Sequence, residues 1–99
     1  MDQNALVQRL LELTQAIEHA AAMADWPEAA RLMETRTPLL HSLSAQQEPA
    51  ALDVIQRIRS MDAAIAKSAS TAQAELANEF QATMTRIHAV QQYNRTALI

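Results

Sequence analysis

The feature that most constrains this chain is the complete absence of glycine from its 99 residues. Glycine is the residue that adopts positive φ angles without steric cost, so its absence disfavours tight hairpins, phosphate-binding loops and glycine-capped helix ends. Alanine, by contrast, occupies 21 positions, leucine 11 and glutamine 10. These residues favour helices over strands, and the sequence therefore predicts an all-α fold.

Charge and cysteine content disfavour several classes of function. The chain has 8 Lys and Arg residues against 11 Asp and Glu residues, and the basic residues are scattered rather than grouped in a stripe. Because no basic stripe is present to neutralise phosphates, we expect no nucleic-acid binding. The absence of cysteine removes disulfides, thiolate nucleophiles and cysteine-ligated metal sites. The longest apolar run, residues 20–24, is too short to span a bilayer, and the first residues predict no signal peptide.

The first predicted helix covers residues 3–24. Its apolar residues recur in steps of four and three, the spacing that places side chains on one helix face: Leu6, Leu10, Leu13, Ile17, Ala20 and Ala24. Val7 and Leu11 widen this face on one side. The helix is therefore expected to be buried along a broad face.

The clearest local signal is the sequence Asp25-Trp26-Pro27-Glu28. Asp25 is predicted to cap a second helix, Glu28 to return a bond to the Asp25 N–H as in a capping box, and Pro27 to occupy the first turn. Trp26 is expected to anchor the corner between the first two helices. The short link predicts that these two helices are antiparallel neighbours.

The second helix is predicted over residues 26–45, with Arg36 at a core-type position and Pro38 inside it. Two interpretations of Arg36 stay open from the sequence. Its long side chain could extend from the edge of the apolar face to solvent, or it could pair with a carboxylate across the bundle or with a partner.

A third helix is predicted to begin at Pro49, after the polar turn 44–48, and no further proline follows it. An unbroken helix to the end of the chain would be about 75 Å long, against about 33 Å for the first helix. The predicted fold is an antiparallel bundle of three helices in a single domain, 1–99. The third helix is either long or broken near 68–71 into a fourth, because residues 66–74 hold only small and polar side chains.

The length mismatch leaves apolar side chains in the second half of the chain without an obvious partner. We therefore expect a client protein or a second subunit to bind there, at Ile58, Met61 and Ile65 and further on at Leu76, Phe80, Met84 and Ile87.

Catalytic and metal-binding constellations are not evident. The histidines, His19, His41 and His88, lack the spacings of helical di-iron or zinc sites, and no serine or threonine lies beside a histidine and a carboxylate in sequence. We therefore expect no enzyme activity, no metal and no cofactor.

The chain resembles the FliT-like flagellar export chaperones in a small number of short motifs. These are Ala24-Asp25-Trp26 at the start of the second helix, Arg36 ten residues after the tryptophan, and the pair Leu39-Leu40. Arg86 followed by Tyr93 is similar to the pattern near the carboxyl end of that family.

The resemblance implies a cytoplasmic chaperone of the protein that caps the flagellar filament. Such a chaperone binds an amphipathic C-terminal helix of the cap protein, prevents premature assembly and delivers the client to the export ATPase complex. The resemblance adds Tyr93 to the expected partner-binding residues, with Asp25, Trp26 and Arg36 as structural residues. The competing hypothesis is a structural coiled-coil or adaptor homodimer that has no secretion client.

Overall fold

A computed structural model of the chain describes residues 2–97, and its elements in that range are three α-helices. Helix α1 covers Gln3–Ala22, α2 covers Trp26–His41 and α3 covers Pro49–Ala97. The described residues contain no β-strand, so the all-α prediction is confirmed. Of the two predictions for the third helix, the long one is correct, because α3 continues through residues 68–71.

The turn between α1 and α2 closes without glycine. Ala24 adopts the left-handed conformation, with φ of 56°. The N–H of Ala24 donates to the Ala21 carbonyl at 3.0 Å, and the N–H of Asp25 donates to the Ala20 carbonyl at 2.8 Å. These two bonds form a Schellman motif in which alanine takes the position that glycine usually holds. The motif ends α1 at Ala22, two residues before the predicted boundary.

Asp25 caps α2 as predicted, because its carboxylate accepts a bond from the Glu28 N–H at 3.3 Å. The predicted capping box is wrong in its second half, since the Asp25 N–H is already bonded to α1. The Glu28 carboxylate instead accepts from the Arg31 Nε at 2.9 Å. This hydrogen bond from Arg31 lowers the pKa of Glu28 below its ordinary value, and the positive charge of Arg31 adds a smaller effect in the same direction.

Helix α2 ends at His41, four residues before its predicted boundary, and the loop 42–48 leads to α3. The Ser42 hydroxyl donates to the Pro38 carbonyl at 3.1 Å, which satisfies one of the free carbonyls at the helix end. The Ser42 N–H bonds to the Leu39 carbonyl three residues back, which tightens the last turn.

The side chain of Gln3 holds the loop 42–48 from the first residue of α1. Its Oε1 accepts from the Ser44 N–H at 3.0 Å and from the Gln47 Nε2 at 2.7 Å. Its Nε2 donates to the Ser42 carbonyl at 3.4 Å. One amide therefore links residues that are about forty positions apart in the chain.

The chain divides into two compact units, one ending at Ala69 and one starting at Ser70. In the first unit, α1 supplies most of the core, as its broad apolar face predicted. One buried cluster contains Leu6, Leu10, Leu11 and Ile58, with half-buried leucines of α2 packed against it. A second contains Ile17, Ala20, Ala21, Ala29 and Ile65, with Trp26 and Leu32 packed against it.

The described part of the second unit consists of α3 residues 70–97. Its large apolar side chains are mostly exposed; Phe80 is 64% and Tyr93 73% accessible to solvent. The other large apolar residues of this unit are Leu76, Ile87 and Val90, which are exposed, and Met84, which is half-buried. The single domain 1–99 stays a prediction.

Candidate functional site

A buried arginine joins all three helices of the first unit. Arg36 on α2 is only 8% exposed, and its Nη1 donates to Thr14 Oγ1 at 3.0 Å and to Asp62 Oδ1 at 2.7 Å. Thr14 lies on α1 and is completely buried, and its hydroxyl donates to the Leu10 carbonyl at 2.8 Å. Asp62 lies on α3. Of the two interpretations left open by the sequence, the ion pair across the bundle is therefore the correct one.

Thr14, Arg36 and Asp62 form a polar layer between the two apolar clusters. On α1, Thr14 follows Leu11 of one cluster and precedes Ile17 of the other. On α3, Asp62 likewise lies between Ile58 and Ile65. The polar layer thus replaces one apolar layer of the bundle.

The polar layer contains a buried hydrogen-bond donor that is not used. Within the described residues, Arg36 Nε is buried and has no hydrogen-bond partner. An unpaired buried donor costs free energy, and two charges removed from water cost more, so the ion pair is not a simple gain in stability. Half-exposed Asp62 retains contact with solvent, which lowers that cost.

An open groove lies between α2 and α3 beside the polar layer and has a volume of about 350 Å³. Its α2 wall contains Trp26, Ala29, Ala30 and Met33, and its α3 wall contains Ile65, Ala66 and Ala69. Arg36 and Asp62 form part of its lining, so the groove is mostly apolar but contains one ion pair. We call this feature the α2–α3 groove.

The length and the small lining side chains of the α2–α3 groove are compatible with a bound helix. From Trp26 to Arg36 the α2 wall covers eleven residues, a rise of about 15 Å or nearly three turns of helix. Four of the lining residues are alanines, and small residues let another backbone approach closely. An amphipathic helix binds such grooves through apolar anchors spaced three and four residues apart.

The residues predicted to bind a partner differ in burial and belong to both units. Ile58 and Ile65 are buried in the core of the first unit, and Met61 is half-buried against the cluster of Leu6 and Leu10. Ile65 also lines the α2–α3 groove. The remaining candidates belong to the second unit, where all except half-buried Met84 are exposed: Leu76, Phe80, Met84, Ile87 and Tyr93.

The sequence interpretation missed Thr14 and Asp62 as partners of Arg36. A signal was present, since Thr14 continues the second apolar row of α1 after Val7 and Leu11 in steps of four and three. Asp62 similarly lies four residues after Ile58 and three before Ile65. Polar residues at such positions indicate a buried polar contact. The alanines of the groove gave no such signal, because alanine is common throughout the chain.

The described residues, 2–97, contain neither a metal-binding cluster nor a membrane-spanning helix. No cluster of three or more His, Asp or Glu side chains is arranged to hold a metal ion in this range. Nor does any of the described helices combine the length and the apolar character needed to cross a membrane.

The fold is an all-α arrangement with an open, mostly apolar groove between α2 and α3. In the comparison with protein families, residues 4–95 match the family model described as flagellar protein FliT. The chain therefore belongs to the FliT family of flagellar proteins, as its resemblance predicted. No match was found among the curated proteins, and none among the solved structures.

Proposed function

We propose that this protein is a cytoplasmic export chaperone of the flagellum. In this proposal it binds an amphipathic helix from the C-terminal segment of the filament-cap protein, keeps that segment from assembling early and delivers it to the export ATPase complex. Membership of the FliT family supports the flagellar part of the proposal.

The observation that carries the proposal is the open, mostly apolar α2–α3 groove. Its exposed alanines Ala30 and Ala66 allow close approach of a helix, and exposed Met33 adapts to different side chains. The Arg36–Asp62 pair gives the lining one polar position, which would fix the register of a bound helix.

The test of this proposal is a peptide titration that compares the wild-type chain with a variant in which the α2–α3 groove is blocked. A peptide from the C-terminal segment of the filament-cap protein of the same organism is the probe. Trp26 is the only tryptophan and lines the groove, so its fluorescence reports binding if the peptide carries no tryptophan. Ala66→Glu places a charge against the apolar face of the peptide and is expected to weaken binding at least about tenfold.

Ala64→Glu is the matched control. Ala64 is exposed on the same helix, about half a helical turn away from Ala66, and does not line the groove. This variant should change the dissociation constant by less than about twofold, which is within ordinary surface effects. Equal weakening by both variants, or normal binding to Ala66→Glu, would place the client elsewhere.

The alternative function is a structural adaptor homodimer without a client. It predicts that the wild-type chain binds no cap-protein peptide and leaves the Trp26 signal unchanged. Independently of that outcome, we propose the exposed residues of the second unit, including Tyr93, as a second protein-binding surface.

A further inference from the structure

The ion pair of the polar layer uses only part of the hydrogen-bonding capacity of its two side chains. A guanidinium can donate from all of its nitrogens, yet the bonds of Arg36 to Thr14 and to Asp62 both leave from Nη1. The Arg36 Nε is buried and has no partner among the described residues. The Asp62 carboxylate accepts the bond from Arg36 at Oδ1, and 37% of its side chain stays exposed. A donor group and an acceptor group, each with unused capacity, therefore lie side by side.

This ion pair lies at one end of the α2–α3 groove. Arg36 is the last lining residue of α2 along the chain, and Asp62 is the first lining residue of α3. The apolar lining residues all lie to one side of the pair, between residues 26 and 33 on α2 and between residues 65 and 69 on α3. A helix bound along the groove therefore meets apolar walls over about 15 Å, or about ten residues, and the polar pair at one end.

Most residue types on a bound helix would satisfy at most one member of the pair. An apolar side chain over the pair costs free energy, because the Asp62 carboxylate loses solvent and gains no new donor. A lysine or arginine supplies a donor to Asp62, but it accepts nothing from Arg36 and brings an unbalanced charge. An aspartate or glutamate accepts from Arg36 but is repelled by Asp62. Neither charge therefore suits both members of the pair.

A carboxamide suits both members at once. The side chains of asparagine and glutamine carry an acceptor oxygen and a donor nitrogen on one planar group without net charge. The atoms that such a group would meet are also adjacent, since Arg36 Nη1 and Asp62 Oδ1 are 2.7 Å apart. A hydroxyl would have to place its one oxygen within reach of both groups, and the two nitrogens of a neutral imidazole point in different directions.

We infer that the helix bound by this protein carries an asparagine or a glutamine opposite the Arg36–Asp62 pair, with its apolar anchors to one side within about ten residues. The carboxamide oxygen accepts from the Arg36 guanidinium, and the carboxamide nitrogen donates to the Asp62 carboxylate. Arg36 and Asp62 thereby select the residue type at one position of the client. This inference rests on the proposed chaperone function and names the chemistry that its groove recognises.

A substitution scan of the client peptide tests the inference. The probe is the peptide from the C-terminal segment of the filament-cap protein, titrated by the fluorescence of Trp26. Each glutamine is replaced in turn by methionine and each asparagine by leucine, which keeps the approximate size and removes the polar group. One replacement should weaken binding about tenfold or more, because it covers Asp62 without a donor. Replacements at solvent-facing positions should change the dissociation constant by less than about twofold.

Asp62→Asn tests whether Asp62 itself recognises the position that the scan identifies. An acidic residue in place of the carboxamide should weaken binding to the wild-type chain about tenfold or more, because it faces the Asp62 carboxylate. In Asp62→Asn the facing group is neutral and offers N–H donors, so the acidic peptide should bind at least as tightly as the carboxamide peptide. The variant can still accept from Arg36 Nη1 at its side-chain oxygen, and circular dichroism checks that it remains folded.

Asp53→Asn is the matched control, because Asp53 is an exposed carboxylate on the same helix and does not line the groove. It should keep the wild-type preference for the carboxamide peptide over the acidic one.

The acceptor half of the inference is tested on the wild-type chain. Nitrogen–proton correlation spectra show the guanidinium N–H signals of Arg36, which are assigned by their loss in Arg36→Met. The carboxamide peptide should move these signals to higher proton frequency, whereas the peptide with methionine or leucine at that position should not.

The outcomes separate this inference from the proposed function. A peptide that binds in the groove, as shown by its sensitivity to Ala66→Glu, but has no carboxamide whose replacement weakens binding overturns this inference alone. A preference for the carboxamide peptide that persists in Asp62→Asn, or Arg36 signals that do not respond to it, has the same consequence. A wild-type chain that does not bind the cap-protein peptide overturns the proposed function and this inference together.

Discussion

Arg36 shows how one polar residue can organise a small core. Its guanidinium contacts a hydroxyl of α1 and a carboxylate of α3, so it relates three helices at one level of the bundle. Layers of leucine and alanine can pack against one another in several helix registers, whereas the Arg36–Asp62 ion pair forms in only one register. We interpret the polar layer as a device that fixes register, a role for which buried polar residues are known in coiled coils.

The two partners of the ion pair should respond differently to mutation. Asp62→Ala leaves the buried guanidinium without its counter-charge and should lower the free energy of unfolding by about 2–3 kcal/mol. Arg36→Met should cost less than about 1 kcal/mol, because Asp62 remains half-exposed and Thr14 keeps its bond to Leu10. Urea denaturation at neutral pH measures both.

Asp53→Ala is the control for these two variants, since Asp53 is an exposed acidic residue on the same helix. It should change the free energy of unfolding by less than about 0.5 kcal/mol. If Arg36→Met proves as harmful as Asp62→Ala, the pair contributes stability directly, and the interpretation as a register device is wrong.

Single residues were also where the sequence was hardest to interpret. The core-type positions of Arg36, Thr14 and Asp62 can be identified from their spacing. That these three residues meet cannot, because several carboxylates could reach Arg36 in an unassembled bundle. The cap by Asp25 was predicted because it depends on three neighbouring residues only. The sequence did not reveal that the second half of the capping box is absent. That half is absent because the Asp25 N–H bonds across the turn to the Ala20 carbonyl.

At the scale of elements, helix starts were predicted better than helix ends. All three helices begin at or next to a capping residue or proline that the sequence displays. Without glycine, the end of α1 has no sequence marker, and it is set by a left-handed alanine. The end of α2 is set in part by a serine hydroxyl, a contact that the sequence permits at many positions.

Ala24→Gly should stabilise the protein. Left-handed alanine carries a steric cost of about 1–2 kcal/mol, and glycine removes it while adding some freedom to the unfolded chain. The expected net gain in the free energy of unfolding is about 0.5–1 kcal/mol, measurable by thermal denaturation.

The same substitution two residues earlier should act in the opposite direction. Ala22 is the last residue of α1, and Ala22→Gly should cost up to about 1 kcal/mol, because glycine is a poor helix former. A loss of stability in both variants would mean that Ala24 is not left-handed in solution.

At the scale of the whole molecule, the two units should differ in how much free energy of unfolding is lost when a large apolar side chain is truncated. Phe80 is 64% exposed, so Phe80→Ala should change the free energy of unfolding of the dilute monomer by less than about 0.5 kcal/mol. Leu10 is almost completely buried in the first unit, and Leu10→Ala should cost about 2–5 kcal/mol.

Chemical denaturation at micromolar concentration compares these two variants under conditions where association is weak. A cost above about 2 kcal/mol for Phe80→Ala would show that Phe80 is part of a packed core in solution. The sequence alone does not decide whether Phe80 is exposed or packed, because periodicity identifies an apolar row but does not say what covers it.

The hydrogen bonds between the Gln3 side chain and the loop 42–48 have a consequence for local unfolding. When the first turn of α1 frays, the Ser44 N–H loses its acceptor and the Ser42 carbonyl loses its donor. Exchange of the Ser44 amide hydrogen with solvent is therefore tied to the opening of α1 rather than to the loop itself. Two segments about forty residues apart behave as one opening unit, and that unit lies at the end of the bundle where the loop joins α2 to α3.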